Sequence, residues 1–292
     1  MKFMRSVKQR IAAMLGCPSQ TSRPEPAEDT TFSAFGEDAI LQKYISDYPD
    51  IPHSYVDIGA GDGISMSNTY RLALQQWDGL CLELDGERFA DLAERYAELP
   101  RVMLNRTRVS PRNICATLTA HNIPHNFGIL SLDIDSYDHD VLASLLEKFS
   151  PRVIVAEINE KVPPPIFFTA RYDAAHEFDG VCYGQSLTAL TELSAKYGYR
   201  LRQCEYNNAF LLHERISLQP AAQADLAYGA GYRDRADRAT LFPYNNRVDA
   251  LLDLAPEEGA ETFEGFIADR HKGHYSLHVP TAPSPLSDGE IT

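Results

Sequence analysis

A glycine-rich turn between two apolar strands constrains the fold of this chain more than any other feature. The segment Val56–Gly63 runs Val-Asp-Ile-Gly-Ala-Gly-Asp-Gly, and a second apolar run follows at Gly79–Glu83. In α/β proteins, this spacing builds a pocket for a nucleotide-type ligand at the carboxyl ends of two parallel strands. Glycine allows backbone angles closed to other residues and lets a ligand approach the main chain. The cofactor-binding residues predicted here are Asp57, Gly59, Gly61, Gly63 and Glu83.

The turn does not match the fingerprint of a dinucleotide site. That fingerprint, Gly-x-Gly-x-x-Gly, requires glycine at position 64, where this chain has Ile64, and its third glycine falls one place early at Gly63. Asp57 and Asp62 also place negative charge where a pyrophosphate would lie. Carboxylates there suit an ammonium group, and the loop amides suit a carboxylate. S-adenosylmethionine (SAM) carries both, with ribose hydroxyls for Glu83, so the pattern favours a methyltransferase over an NAD-dependent enzyme.

Strand and helix patterns alternate through the middle of the chain. Apolar strands are predicted at 54–59, 79–84, 101–105, 127–133 and 152–158, with helices at 66–76, 86–98, 111–121, 138–148 and 185–197. Residues 199–204 and 209–213 predict a terminal antiparallel hairpin. Such alternation indicates βαβ units. The predicted fold class is therefore α/β, with a doubly wound, mostly parallel seven-stranded sheet of Rossmann-like type and a C-terminal extension.

Composition divides the chain into four segments. Residues 1–31 predict a basic helix followed by a Pro-rich flexible linker, 32–214 the α/β core, 215–276 a helical extension, and 277–292 a disordered tail. The basic amphipathic start is typical of a short solvated helix, and also of weak contact with an anionic membrane surface. No run reaches the roughly 18 apolar residues that a bilayer-spanning helix needs.

Charge and cysteine content narrow the class of partner. The net charge of −14 argues against a nucleic-acid polymer, because such partners require clustered basic side chains. The five cysteines contain no Cys-x-x-Cys pair and favour reduced thiols. We therefore expect a cytoplasmic protein that acts on a small-molecule or carbohydrate acceptor. The sequence leaves the oligomeric state open.

Acidic side chains follow two of the predicted central strands. The fourth strand ends at Asp133 and Asp135, and the fifth ends at Glu157 and Asn159. Because ligands bind above the carboxyl ends of parallel strands, these groups are expected to meet in one crevice. Asp135, Glu157 and Asn159 are predicted to hold Mg²⁺ or Mn²⁺, which prefer oxygen ligands and would lower the pKa of a substrate hydroxyl.

A reaction without metal is the open alternative at this edge. Asp135 or His139 would then act as the general base. Ser136 and Asp138 are also suited to cap the helix that follows. The long aromatic segment 159–184 is expected to fold over the reacting methyl group, because loops of this length usually carry function. It would place Tyr172, His176 or Tyr183 near the acceptor, and Tyr183 is the catalytic candidate among them.

Several of these motifs together resemble the FkbM-type SAM-dependent methyltransferases. The resemblance covers residues 33–213 and is carried by Gly36–Ile40, Val56–Gly63, Ser67–Thr69, Trp77–Glu83 and Leu132–Asp138. It implies a class I methyltransferase fold and transfer to oxygen, often on sugars or secondary metabolites. By this resemblance Asp57–Gly63 matches the cofactor loop, Glu83 the ribose carboxylate, and Asp133 and Asp135 the acidic motif after the fourth strand. Ser136 departs from the family, which commonly has glycine there.

The function expected from the sequence is SAM-dependent O-methylation of a hydroxyl group on a small molecule or sugar. Asp133 is also predicted to bind the cofactor, together with Asp57, Gly59, Gly61, Gly63 and Glu83. A non-catalytic cofactor-binding or scaffold protein with the same fold is the alternative from another class. An NAD-dependent enzyme is a third possibility, disfavoured by Ile64.

Overall fold

The computed structural model describes residues 30–280. The predicted basic helix, almost all of the predicted linker and the end of the predicted tail lie outside the described residues. The strands are β1 Ser54–Ile58, β2 Asp78–Glu83, β3 Val102–Arg106, β4 Ile129–Leu132, β5 Val153–Glu157, β6 Phe167–Ala170, β7 Tyr199–Glu205, β8 Asn208–His213 and β9 Tyr275–His278. The α-helices are α1 Glu37–Asp47, α2 Tyr70–Leu74, α3 Gly86–Arg95, α4 Ile114–Ala120, α5 Asp138–Leu146, α6 Leu187–Ala195, α7 Ala224–Tyr228, α8 Arg238–Leu241 and α9 Pro256–His271.

Seven strands form one sheet in the order β3-β2-β1-β4-β5-β8-β7. Strands β1 to β5 are parallel, whereas β8 pairs antiparallel with β5 and β7 antiparallel with β8. This confirms the predicted seven-stranded, mostly parallel sheet and its terminal hairpin. The strand order reverses at β1, which has β2 on one side and β4 on the other. A crevice for ligands opens above the carboxyl ends of strands at such a point.

Apolar side chains on both faces of the sheet explain why its strands are almost continuously hydrophobic. Val56 packs into one buried cluster with the side chains of α4, α5 and α6, while Tyr55 packs into a second cluster with those of α1, α2 and α3. Strands covered on both faces lose the alternation of polar and apolar residues that a solvated sheet shows. Because each fully buried side chain of this kind contributes about 1.5–3 kcal/mol, the strand ends are held on a rigid base.

The C-terminal extension packs against the segment that follows β5. Strand β9 pairs antiparallel with β6, and Phe263 of α9 packs on Phe168 with ring centroids 5.0 Å apart. Strand β6 lies within residues 159–184, which the sequence predicted as a loop, and β9 crosses the expected boundary between residues 276 and 277. Between residues 30 and 280, no helix has the length and apolar character needed to cross a membrane.

Candidate functional site

The turn after β1 fits closely against the neighbouring strands at Gly59. Its amide donates to the carbonyl of Leu82 at 2.9 Å, and its φ is 93°. A Cβ atom at Gly59 would lie 1.7 Å from the carbonyl oxygen of Asp133. At Gly61, by contrast, φ is 60° and an added Cβ would meet nothing within 4 Å. Gly59 therefore lets the turn pack directly against the residue that follows β4, while the main chain at Gly61 has open space beside it.

Glu83 at the end of β2 holds this turn through its side chain. Its Oε2 accepts from the amide of Gly61 at 2.8 Å, and its Oε1 accepts from the amide of Asp85 at 2.6 Å. Each carboxylate oxygen has two lone pairs, so each keeps capacity for one more donor. Asp85 in turn caps α3 by accepting from the amides of Glu87 and Arg88. These hydrogen bonds connect the ends of β1 and β2 at the edge of the sheet where the cofactor is expected.

The two aspartates of the turn have different surroundings. Asp62 accepts from the amides of Ile64 and Ser65 and pairs with Arg95 at 2.6 Å, so its charge is already balanced. Asp57 is buried and accepts from the hydroxyl of Thr69 at 2.7 Å. Burial raises the pKa of Asp57 to about 6, and the nearby carboxylates of Asp133 and Glu83 add to that rise. Only Asp57 of this pair is suited to a cationic group of a ligand.

A cavity of about 880 Å³ lies at this edge of the sheet. The predicted site residues that line it are Asp57, Gly59, Gly61, Asp133, Asp135, Glu157 and Tyr183. The predicted site residues that do not line it are Gly63, Glu83, His139 and Asn159. Further walls come from residues 65–68 after β1, 178–183 before α6 and 242–248 of the extension. The position predicted for the aromatic segment, on the same side as Gly61 and Asp135, is confirmed.

Three carboxylates meet at the ends of β4 and β5. One oxygen from each of Asp133, Asp135 and Glu157 lies within 4.8 Å of the others. Asn159 does not line the cavity: its Nδ2 donates to the carbonyls of Val181 and Tyr183, and its Oδ1 accepts from the amide of Lys161 at 3.3 Å. Of the predicted metal ligands, Asp135 and Glu157 lie in this cluster and Asn159 does not, and Asp133 is the third member of the cluster. Oxygen donors at this separation fit a hard divalent cation.

His139 is not placed for chemistry in the cavity. It is the second residue of α5, its ring lies 6.2 Å from the ring of Phe167, and its Nδ1 lies 3.8 Å from Asp140. The prediction that His139 acts as the general base is therefore wrong. Asp138 also differs from the expected helix cap, since it accepts from the amides of Ile134 and Ser136. These bonds hold the turn that carries Asp135, whose φ is 55°.

Of the three aromatic candidates in the segment after β5, Tyr183 alone lines the cavity. Tyr172 packs edge-on against Tyr137 at 4.8 Å, and His176 lies 5.9 Å from His271 by ring centroids. Tyr183 is buried, and its hydroxyl donates to Glu160 at 2.7 Å. Tyr183 is therefore the ring that reaches the cavity, and its place near the acceptor stays a prediction.

Lys161 is a cavity residue that the sequence reasoning missed. Its Nζ donates to Glu160 at 2.8 Å and to the hydroxyl of Tyr183 at 2.8 Å, and it lies 5.8 Å from the ring centroid of Tyr244. Burial acts to raise the pKa of Glu160, but the charge and hydrogen bonds of Lys161, with those of Asn245 and Tyr183, bring it below its usual range. The only signal in the sequence was an adjacent Glu-Lys pair at the end of an apolar strand.

Glu37 is a second cavity residue that the site prediction lacked. It is the first residue of α1, it is completely buried, and it lines the cavity. Its Oε2 accepts from the backbone amide of Phe35 at 2.7 Å, and its Oε1 accepts from the side-chain Nδ2 of Asn208 at 2.9 Å. Burial raises the pKa of Glu37 to about 7. Its segment contributed to the family resemblance without a role being assigned to it.

Several solved structures have a similar fold. No family model and no curated protein matches the chain. Among solved structures, it is similar to the magnesium protoporphyrin IX methyltransferase of Synechocystis PCC 6803 with bound SAM, at 9% identity over 61% of this chain and 77% of that chain, TM-score 0.40. It is also similar to the N-terminal domain of EvdMO1 with S-adenosylhomocysteine (SAH) and D-fucose, at 12% identity over 72% and 96%, TM-score 0.40. A third is the glycopeptide N-methyltransferase MtfA with SAM, at 14% identity over 65% and 98%, TM-score 0.38.

At identities and TM-scores this low, the similarity does not establish an activity or an acceptor for this chain. Its own topology is that of a Rossmann-like, class I methyltransferase sheet, since β7 and β8 add the antiparallel hairpin that dinucleotide-binding sheets lack. The narrower resemblance to the FkbM type stays a prediction.

Proposed function

We propose that this chain is a SAM-dependent methyltransferase that transfers the methyl group to a hydroxyl oxygen of a small molecule or sugar. The observation that carries the proposal is one cavity shared by the cofactor turn and the acidic ends of β4 and β5. Asp57 and Gly61 line it at the end of β1, and Asp135 and Glu157 line it at the ends of β4 and β5. A cofactor and an acceptor bound in this cavity would therefore be neighbours.

The turn between β1 and α2 suits SAM for two reasons. The amide of Gly61 donates a hydrogen bond to Glu83, the carboxylate expected to bind the ribose. The same side chain therefore fixes the loop that would contact the cofactor. Ile64 keeps the turn from the dinucleotide pattern, and the acidic lining disfavours a pyrophosphate. These features support SAM over NAD at this site.

Methyl transfer requires a hydroxyl oxygen in line with the carbon–sulfur bond. As the new carbon–oxygen bond forms, the carbon–sulfur bond breaks, the sulfide of SAH leaves, and the hydroxyl proton moves to a base. Asp135 is the proposed base, since it lines the cavity at the end of β4. Most of the acceleration would come from holding the two reactants collinear and close.

A divalent cation fits the same three carboxylates. Asp133, Asp135 and Glu157 would hold Mg²⁺ or Mn²⁺, and such an ion would lower the pKa of the acceptor hydroxyl. A base without metal and a metal-activated hydroxyl remain two versions of one proposed reaction. Chelation separates them, because only the second version depends on the ion.

The walls of the cavity favour an uncharged acceptor with a flat face. Phe178, Tyr183 and Tyr244 contribute aromatic rings, and these can stack on a sugar ring or planar metabolite. Carboxylates outnumber the basic side chains of the lining, which are Arg88, Lys161 and Arg247, so the balance of charge disfavours a phosphorylated or carboxylated acceptor. This supports the small-molecule or carbohydrate partner expected from the net charge.

The deciding experiment is calorimetric titration of the protein with SAM, SAH and NAD, followed by mass spectrometry of hydroxylated acceptors incubated with SAM. We expect SAM and SAH to bind and NAD not to bind. Binding of NAD alone would favour the NAD-dependent alternative. SAM binding without transfer to any hydroxylated acceptor would favour the non-catalytic alternative.

A further inference from the structure

Tyr244 brings a phenol hydroxyl to the cavity from the C-terminal extension. It lies on the short turn Pro243–Asn245 and lines the cavity, and 41% of its surface is accessible. Burial nevertheless raises the pKa of its hydroxyl well above the usual range, and the carboxylates of Glu160, Glu157 and Asp135 add to that rise. The hydroxyl end of the side chain is therefore the part that lies within the cavity, near the acidic ends of β4 and β5.

The turn that carries Tyr244 is anchored through both of its neighbours. The buried side chain of Asn245 donates to Glu160 at 2.7 Å. The ring of Phe242 is also buried, and it stacks on the ring of Phe35 with centroids 5.4 Å apart. These contacts fix the main chain on either side of Tyr244, so the position of its ring is set by the fold.

The hydroxyl of Tyr244 is available to donate to a ligand, whereas that of Tyr183 is not. Tyr183 donates its hydroxyl proton to Glu160 and accepts from Lys161. Within residues 30–280, the hydroxyl of Tyr244 forms no hydrogen bond. The third ring proposed to stack on the methyl acceptor, Phe178, carries no hydroxyl. Of these three side chains, Tyr244 is therefore the one that can donate a hydrogen bond to the methyl acceptor.

We infer that Tyr244 binds the methyl acceptor, with its hydroxyl donating a hydrogen bond to an oxygen atom next to the one that is methylated. This inference rests on the proposed SAM-dependent function, in which Asp135 takes the proton of the reacting hydroxyl. A hydrogen bond from Tyr244 to the reacting oxygen itself would withdraw electron density from the nucleophile, so the adjacent oxygen is the productive partner. The substrate class is therefore a compound with two adjacent oxygens, such as a vicinal diol of a sugar.

The test compares Tyr244→Phe with the wild type, after the wild type has been screened on the methyl glycosides of glucose, galactose and mannose and on catechol. On the best of these compounds, kcat/KM of Tyr244→Phe should fall about three- to tenfold, the equivalent of one lost neutral hydrogen bond. On the same compound without the adjacent hydroxyl (a monodeoxy glycoside, or phenol for catechol), the two proteins should differ by less than about twofold, because neither makes the contact. The affinity for SAM, measured by calorimetric titration, should also stay within about twofold, because the hydroxyl contacts only the methyl acceptor.

Tyr197→Phe is the matched control. Tyr197 follows α6 and does not line the cavity, and in the described part of the chain its hydroxyl likewise forms no hydrogen bond. This variant should match the wild type on both compounds. The inference is overturned if Tyr244→Phe methylates the parent compound as fast as the wild type, or loses the same factor on the compound that lacks the adjacent hydroxyl. A wild type that binds SAM but methylates none of the screened compounds instead refutes the proposed transfer to a hydroxyl, and this assignment with it.

Discussion

The carboxylate of Glu83 accepts a hydrogen bond from the amide of Gly61 at 2.8 Å, so a side chain on β2 fixes the main chain of the turn after β1. The same carboxylate accepts from Asp85 at the start of α3. The cofactor turn, the strand end and the following helix are therefore one connected unit. A change at Glu83 should alter the shape of the turn as well as remove a ligand contact.

Glu83→Ala is expected to weaken SAM binding by about 1.5–3 kcal/mol, the usual range for a lost hydrogen bond to a charged group. Glu83→Gln is the matched variant, since its amide oxygen can still accept from Gly61, and its loss should be smaller. Calorimetric titration of both variants with SAM measures the difference. Equal affinity of Glu83→Ala and the wild type would show that the ribose is bound elsewhere.

Gly59 and Gly61 offer a paired test of the turn. Gly61→Ala should fold at a cost of about 1–2 kcal/mol, because its left-handed φ disfavours a side chain while the space around it is open. Gly61→Val is expected to abolish SAM binding by filling the space that the ligand approaches. Gly59→Ala should cost more stability than Gly61→Ala, since its Cβ would overlap the carbonyl of Asp133. Urea unfolding ranks the two alanine variants, and the reverse order would contradict the geometry.

The fold and the cofactor turn could be predicted from the sequence because their signals are local. Apolar runs of strand length mark β1, β2, β4 and β5, and the topology brings their carboxyl ends together whatever the side-chain details. Asp135 and Glu157 meet for that reason. Helix α2 begins later than predicted because Met66 takes a φ of 59° and the hydroxyl of Ser67 accepts from the amides of Thr69 and Tyr70.

The remaining site residues depend on contacts that a sequence pattern does not show. Asn159 looked like a ligand by position, yet its amide is used by backbone carbonyls of the segment that returns past it. His139 is adjacent to Asp138, but it lies outside the cavity. Lys161 and Glu37 enter the site from segments whose packing is set by Tyr183 and by Asn208, and each partner is at least 22 residues away in sequence.

The carboxylates of Asp133, Asp135 and Glu157 predict a measurable metal affinity. We expect titration with MnCl₂, followed by electron paramagnetic resonance, to reveal one bound Mn²⁺ per chain, and Glu157→Gln to weaken it at least tenfold. Glu147→Gln, on the exposed end of α5, is the matched control and should bind Mn²⁺ like the wild type. If the wild type binds no Mn²⁺, the carboxylates are left as cofactor contacts and general base.

The buried pair of Glu160 and Lys161 should be strongly coupled. Lys161→Met leaves Glu160 charged and unpaired among Tyr183 and Asn245, and breaking a buried pair in this way costs about 3–5 kcal/mol. Glu160→Gln alone should cost a similar amount, whereas the double variant should cost less than the sum of the two. Urea unfolding of the four proteins gives the coupling energy, and strict additivity would mean that the pair does not act as a unit.

Asp138 should make stability depend on pH in a direction that its burial fixes. Burial raises the pKa of Asp138 to about 7 in the folded protein, above about 3.9 for an unfolded aspartate. A raised pKa means that the folded state prefers the protonated acid. Its stabilising contribution is fully present below about pH 4 and is lost as the pH rises from there through about 7.

Asp138→Asn removes this titration while keeping one acceptor for the amides of Ile134 and Ser136. The variant loses a hydrogen bond at every pH, but the difference in unfolding free energy between the two proteins should shift by a few kcal/mol in favour of the variant from pH 4 to pH 8. Groups present in both proteins cancel in that difference. Urea unfolding at several pH values measures it, and a difference that stays constant with pH would mean that Asp138 is ionised in the folded protein throughout.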